Sequence, residues 1–356
     1  MNIKIFVFLF LFLNVKFAEV YYNSYTISGK VVDKETGLAI NYANVYVAYS
    51  MLGSSTNKNG EFLIQNVPNG KYQIIVSCIG YSSSTTKIKI SNSSRENLFF
   101  RLEPKVYTTE EVKITGEAAE RWQNNYELFK KAFIGESWRA KETFIEDPYN
   151  INFVENDDEL LAYTDYPIII WNKALGYKIT YHLESFSLND NTTKYSGIPY
   201  FENIESESIE EKLRWKENRN DAYLGSLRHF LTTICNTDSN NITELEKECF
   251  YIVAQNKINT WFPPQPVELF PCLQKTNDEN EMLLSFDNYW RVTYKPAVKV
   301  SWQKQQRSWI KLHGDSVTID TKGRYYDQYK IETFGFWSNY RMAEMLPFDY
   351  EYKEKE

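Results

Sequence analysis

Between Tyr25 and Glu103 the chain alternates apolar and polar residues in short runs, each cut by turn residues after roughly the same interval. Residues 27–33 form the first period-two run, a turn follows at Lys34-Glu35-Thr36-Gly37, and the pattern resumes at Ala43-Asn44-Val45-Tyr46-Val47. It reverses at Asn59-Gly60 and again at Pro68-Asn69-Gly70, before another run over residues 72–77. Strands this short and this regularly spaced close into a small β-sandwich over residues 24–103. Such a scaffold carries no chemistry of its own.

With 356 residues the chain exceeds one small sandwich, so a second domain is expected. Aromatic residues make up 16% of it, 27 Tyr and 22 Phe among them, which favours strands in the remainder. The net charge of −7 argues against nucleic-acid partners, which need basic surfaces.

At the N-terminus Lys4 precedes an apolar run from Ile5 to Leu13, with small Ala18 shortly after. This is the layout of a secretory signal peptide over residues 1–20, too short an apolar run to span a bilayer. Lys16 blurs the cleavage point, which leaves an uncleaved anchor as the alternative. Cleavage would leave no transmembrane domain in the mature chain. Export permits disulfides among Cys78, Cys235, Cys249 and Cys272; Cys235 with Cys249 could close a loop, with Cys272 competing for either partner, and buried free thiols are the other reading, favoured for Cys78 by its strand position. No CxxC pair occurs, so metal binding by cysteine is not expected.

Pro104 ends the last strand of the sandwich, and residues 104–117 read as a linker containing a β-prone piece at 110–114. Trp122, Tyr126, Phe129 and Phe133 recur at intervals of three and four, predicting a helix over 118–133 that Gly135 stops. Strand-like runs return at 159–163, 167–171 and 177–183, and later near 250–253, 298–302 and 316–319. A second helix is predicted from about Arg219 to Thr233, with Tyr223, Leu227 and Phe230 on one side. The fold class is therefore mainly β: an immunoglobulin-like or transthyretin-like β-sandwich followed by a larger β-rich α+β domain over 118–350.

Several motifs, in order, carry a family resemblance: residues 27–33, Thr36-Gly37, Ala43-Asn44-Val45, Thr56, Gly60-Glu61-Phe62, Val67-Pro68-Asn69-Gly70 and Ser77-Cys78-Ile79-Gly80-Tyr81. Together they resemble the carboxypeptidase-regulatory-like domain, in the form common in exported proteins of the Bacteroidetes. In that family the module often precedes an outer-membrane transporter or follows a zinc carboxypeptidase. Too few residues remain here for a transporter barrel. A zinc carboxypeptidase needs a His and a Glu with two residues in between, plus a second His, and none of the three histidines, His182, His229 and His313, has Glu at that offset. The rest of the chain resembles the second region of a group of exported proteins bearing this module, through Phe133-Ile134-Gly135, Leu175-Gly176-Tyr177, Tyr195-Ser196-Gly197, residues 219–231 and residues 337–350. No activity attaches to that region, so the resemblance implies a shape without a reaction.

Residues 219–231 form the densest polar and aromatic cluster. In one reading Arg228 and His229 grip an anionic group with the Ser226 hydroxyl assisting. In the other the helix packs on a sheet while Arg228 and His229 hold backbone carbonyls. His182 reads as a solvent-facing or edge residue of a strand, His313 as a turn residue beside Gly314, and the acid pairs Glu210-Glu211 and Asp157-Asp158 as solvated. Trp261 and Trp337 are candidate sugar-stacking platforms, against the alternative of core packing.

Tyr223, Arg228, His229, Trp261 and Trp337 are accordingly the candidate binding residues; no catalytic residue, metal or cofactor is assigned. The expected role is non-catalytic, structural, docking or ligand-binding, at the periplasmic or outer-membrane surface with an envelope protein or glycan as partner. Two alternatives stand beside it: carbohydrate binding through exposed aromatics, and a hydrolase site in the second domain centred on Arg228-His229 or an acid pair.

Overall fold

A computed structural model of the chain describes residues 24–105, 116–156, 158–189, 192–237, 242–258, 264–296, 305–325, 327 and 329–352. The leader, the β-prone piece at 110–114, the strand at 298–302 and Trp261 lie outside the described residues. Strand accounts for 44% and helix for 21%, so the fold is mainly β. The chain divides into two compact units, one within Met1–Val45 and Leu52–Lys105, the other within Tyr46–Met51 and Val106–Glu356.

The first unit contains β1 (Tyr25–Asp33), the first two residues of β2 (Asn44–Val47), β3 (Gly53–Ser55), β4 (Glu61–Val67), β5 (Gly70–Ser77), β6 (Ser84–Ile90) and β7 (Arg95–Leu102). One sheet runs β4-β1-β7, with β7 parallel to β1; the other runs β3-β2-β5-β6. Alternation places Ile27, Val31, Phe62, Ile64, Ile74, Val76 and Phe100 in the core. Several residues that carried the resemblance hold turns. The Asp33 carboxylate accepts from the Glu35 and Thr36 amides (2.9 and 2.8 Å) and from the Tyr81 hydroxyl (2.9 Å). The buried Thr56 hydroxyl accepts from the Ala43 amide and donates to the Ile40 carbonyl, at 2.8 and 2.7 Å. Cys78 lies just beyond the end of β5, not inside a strand as the sequence suggested.

The second unit opens with α1 (Gly116–Ile134), β8 (Thr143–Ile145), β9 (Asn152–Asn156), β10 (Glu159–Tyr163), β11 (Ile168–Asn172), β12 (Tyr177–Asn189) and β13 (Thr192–Asn203). β13 pairs along the whole of β12; β11 takes the first part of the strand's other edge and β10 the last. Tyr177, Ile179 and Tyr181 alternate inward from β12, and Phe129 and Phe133 of α1 pack against this sheet, Phe133 edge-on to Tyr181 at 5.1 Å and Phe129 edge-on to Phe186 at 4.7 Å. Losing one such ring would cost about 3–5 kcal/mol. The segment Tyr46–Met51 belongs here: the Tyr49 amide donates to the Pro199 carbonyl (2.7 Å) and the Phe201 amide to the Ser50 carbonyl (3.0 Å), on the free edge of β13.

The chain continues through α2 (Ile209–Tyr223), α3 (Leu227–Asn236), α4 (Ile242–Lys247), β14 (Phe250–Gln255), β15 (Gln265–Pro266), β16 (Leu273–Lys275), β17 (Glu281–Leu284), β18 (Tyr289–Tyr294), β19 (Gln306–Leu312), β20 (Val317–Asp320) and β21 (Ile331–Gly335). These strands form a five-stranded sheet, β15-β14-β18-β19-β21, and a three-stranded sheet, β16-β17-β20. A second core gathers Phe230, Leu231 and Ile234 of α3 with Phe250, Trp290, Ile310 and Ile319. Leu224 packs against both cores.

The single helix expected over 219–233 is two helices. Gly225 takes φ +74°, outside the helical region, and the Ser226 hydroxyl caps α3 by accepting from the His229 amide at 3.1 Å. A Cβ on Gly225 would stand 2.5 Å from Gln306 Oε1 and 2.6 Å from Tyr294 Cδ1, so only glycine fits the corner. All four cysteines are free, which sets aside the disulfide between Cys235 and Cys249.

Candidate functional site

Four of the five residues singled out by sequence meet around the α2–α3 corner. The Gly225 amide donates to His229 Nδ1 (3.1 Å), and the Gly225 carbonyl accepts from Trp337 Nε1 (2.7 Å). Because Nδ1 accepts, the imidazole proton sits on Nε2, which faces Glu248 Oε2 at 3.3 Å. The ring is 5% exposed and lies among Tyr223, Phe250 and Tyr294, with centroids 5.0, 4.8 and 6.0 Å away. Burial pushes its pKa down, and Glu248 opposes the shift.

Arg228 projects from the same turn of α3 toward backbone. Nε donates to the Lys322 carbonyl (3.1 Å), Nη1 to Pro347 (2.6 Å), and Nη2 to Phe348 and Tyr350 (2.8 Å each). A guanidinium presents five donors, and four carbonyls occupy this one. It therefore staples residues 347–350 to the corner, the carbonyl-holding arrangement, while the expected Ser226 hydroxyl is spent on capping α3. Tyr223 is 8% exposed and stacks on Tyr352. Trp337, 4% exposed, has no open face for a sugar, which corrects its reading as a platform. The corner is thus buried and packed with aromatic rings.

The other histidines are simpler. His182 is half-buried, with Nε2 on the Tyr46 hydroxyl, instead of solvent-facing; burial pushes its pKa down to about 4. His313 sits in the turn before Gly314, with Nε2 2.8 Å from Glu332 Oε2.

A concave site lies elsewhere in the second unit. An open groove of about 870 Å³ is bounded by the C-terminal half of α1, by β9 and β10, by the ends of β12 and β13, and by Asn339 and Arg341. Leu128, Ala132, Leu160 and Leu188 supply aliphatic surface. Around them stand amides (Asn125, Asn189, Asn339), hydroxyls (Ser137, Thr193) and charges of both signs (Lys131, Arg341, Glu136, Glu155, Asp158, Glu159). Some of this is prearranged: Asn125 Nδ2 donates to Glu155 Oε1 at 2.6 Å, and Lys131 Nζ pairs with Glu136 Oε1 at 3.1 Å. Gly135 lets Arg341 approach, since a Cβ there would stand 3.1 Å from Arg341 Cβ. At the far end of α1, Trp122 stacks between Tyr126 and Tyr149 (5.2 and 4.8 Å), and Tyr149 is 73% exposed. The sequence pattern makes Asp158 half of a solvated acid pair and Trp122, Tyr126 and Gly135 parts of a helix and its stop, but none of these a candidate binding residue, because the groove draws on segments far apart in the chain. Among the described residues no cluster of three or more His, Cys, Asp or Glu could hold a metal.

The architecture is that of a mainly β chain whose first unit is an immunoglobulin-like sandwich. Residues 27–114 match the family model for the CarboxypepD_reg-like domain, and that model leaves the rest of the chain unassigned. Domains of this kind typically occur in exported proteins, and among the described residues no helix is long and apolar enough to cross a membrane. No curated protein matches the chain. Among solved structures, a cohesin–X-dockerin complex from Acetivibrio cellulolyticus is 18% identical, over 28% of this chain and 73% of that one, with a TM-score of 0.20. A DUF3823 family protein from Parabacteroides merdae is 9% identical, over 50% and 80%, with a TM-score of 0.19. A candidate carbohydrate binding protein from Bacteroides uniformis is 8% identical, over 83% and 98%, with a TM-score of 0.20. At these scores the likenesses carry no argument about function.

Proposed function

We propose that the chain is an exported, non-catalytic docking protein of the cell envelope, in which the second unit holds an extended polypeptide segment in the groove beside α1. The groove's lining supports this reading. Aliphatic surface from Leu128, Ala132, Leu160 and Leu188 suits apolar side chains, and the surrounding amides, hydroxyls and opposite charges suit a peptide backbone and its polar residues. The lining residues include no aromatic ring, the group on which a sugar face would stack. The sandwich acts as a spacer or second docking module.

The carbohydrate reading moves from Trp337 to Tyr149, whose ring is open to solvent and held by its stack on Trp122. A displayed peptide library and a glycan panel, each tried against the intact chain, separate the two. Peptide binding weakened tenfold or more by Ala132→Trp and untouched by Tyr149→Ala supports the groove. Glycan binding abolished by Tyr149→Ala supports the stack. Peptides that bind the Ala132→Trp protein as well as the original would refute the docking reading.

A further inference from the structure

We infer that His229 is an acid-responsive latch: a proton taken up at Nδ1 sets two donors against each other at the Gly225 amide and frees the α2–α3 corner that joins the two cores. The inference is independent of the docking reading, since the groove uses other residues. It begins from the tautomer. In the neutral ring the Nδ1 lone pair accepts from the Gly225 amide, and Nε2–H points to Glu248. Protonation leaves the imidazole with two N–H groups and no acceptor. At 3.1 Å the Gly225 N–H and the new Nδ1–H cannot both stay, and the buried amide loses its partner.

Little around the ring can absorb the change. Tyr223 from α2 and Tyr294 from β18 flank it, and Tyr294 is pushed up to about 12, so it stays neutral throughout the acid range. Phe250 from β14 is apolar, and Tyr352 covers Tyr223. Arg228, next in sequence, turns its guanidinium to the carbonyls of Lys322, Pro347, Phe348 and Tyr350. Glu248 is the group that favours the cation, but its side chain is 56% exposed and its attraction is screened by water. Burial outweighs it, and the pKa lies below the ordinary 6.5. With the folded pKa depressed, the latch is fully closed above about pH 6.5 and opens as pH falls through the folded value.

What opens is specific. Gly225 also takes the Trp337 indole on its carbonyl, and the adjoining Leu224 packs against both cores. Release at this point loosens the register of one core against the other and leaves each core's own strands intact.

The test is amide exchange on the full chain, expressed as protection so that the intrinsic pH dependence of exchange cancels, with ¹⁵N spectra of the histidine rings. At pH 7.5 the His229 ring should carry its proton on Nε2. Between pH 7.5 and 5 the protection of the Gly225 amide should fall about tenfold or more relative to Ile179 in β12. His229→Asn keeps an acceptor oxygen for Gly225 and does not titrate, so its protection should not change. Glu248→Gln weakens the support for the cation and should move the midpoint to lower pH. A proton on Nδ1 at neutral pH overturns the inference, as does an equal loss of protection in the His229→Asn protein. If His229→Asn does not fold, an unmoved midpoint in Glu248→Gln overturns it.

Discussion

Gly176 lies directly under the indole of Trp215: a Cβ at position 176 would stand 2.3 Å from Trp215 Cδ2. The glycine also takes φ +69°, so the turn between β11 and β12 and the inward face of α2 are fitted to one another. Trp215 Nε1 then donates to the Lys173 carbonyl in the same turn, at 2.8 Å.

Gly176→Ala should therefore combine backbone strain with overlap. Gly80, at φ +84° with nothing within 4 Å of its would-be Cβ, isolates the backbone part. Urea unfolding should show Gly80→Ala costing about 1–2 kcal/mol and Gly176→Ala costing at least about 2 kcal/mol more. Equal losses would mean that the indole moves aside freely.

Replacing Arg228 by Met should take a donor from four backbone carbonyls, of which Pro347 keeps the Tyr350 amide, and destabilise the second unit by about 3–5 kcal/mol. Arg228→Lys should recover less than half, because one ammonium cannot span the same fork. Protease cleavage near 347–350 should accelerate in both. A Lys variant with the stability of the original would contradict the staple.

His182 gives a pH signature with a definite sign. Its folded pKa, about 4, is below the ordinary 6.5, so the unfolded chain binds more protons between those values. Stability is then full above about pH 6.5 and falls as pH drops toward 4, by up to about 3 kcal/mol. His182→Gln should remove that part of the slope in a series of unfolding curves. An unchanged slope would show that burial does not hold the His182 ring neutral.

Arg139 and Glu344 form a buried ion pair at 2.8 Å, with side chains 10% and 6% exposed. Arg139 Nε and Glu344 Oε1 have no partner, so the pair is incompletely compensated. Breaking it with Glu344→Leu should cost about 3–5 kcal/mol, whereas Arg139→Met with Glu344→Leu should come within about 1 kcal/mol of the original. Thermal unfolding of the three proteins decides it. A double variant no better than the single one would assign the ion pair a net stabilising role.

Local signals carried much of the fold. Tyr126, Phe129 and Phe133 repeat with the helical period and do line the buried face of α1. Ile179 and Tyr181 repeat with the strand period and point inward from β12. The break at Gly225-Ser226 was also written in the chain, as a glycine beyond one helix end followed by a capping serine, but the apolar spacing across it looked continuous and masked it. His182 looked like an outward strand residue because the pattern reports which face of β12 it occupies and not that the Tyr46 hydroxyl meets it there.

By itself the sequence determined the leading sandwich, its turns and its family, because Asp33, Thr56 and Tyr81 act through bonds to residues in their own small unit. It also determined that a second, mainly β region with helices follows. Tertiary structure alone decided which side chains line the groove and which are buried. The groove joins Asn125 and Glu155 to Arg341 across most of the second unit, and Trp337 is shut in by an indole bond to Gly225. Burial and concavity arise from how distant segments pack, and no spacing within one segment encodes them.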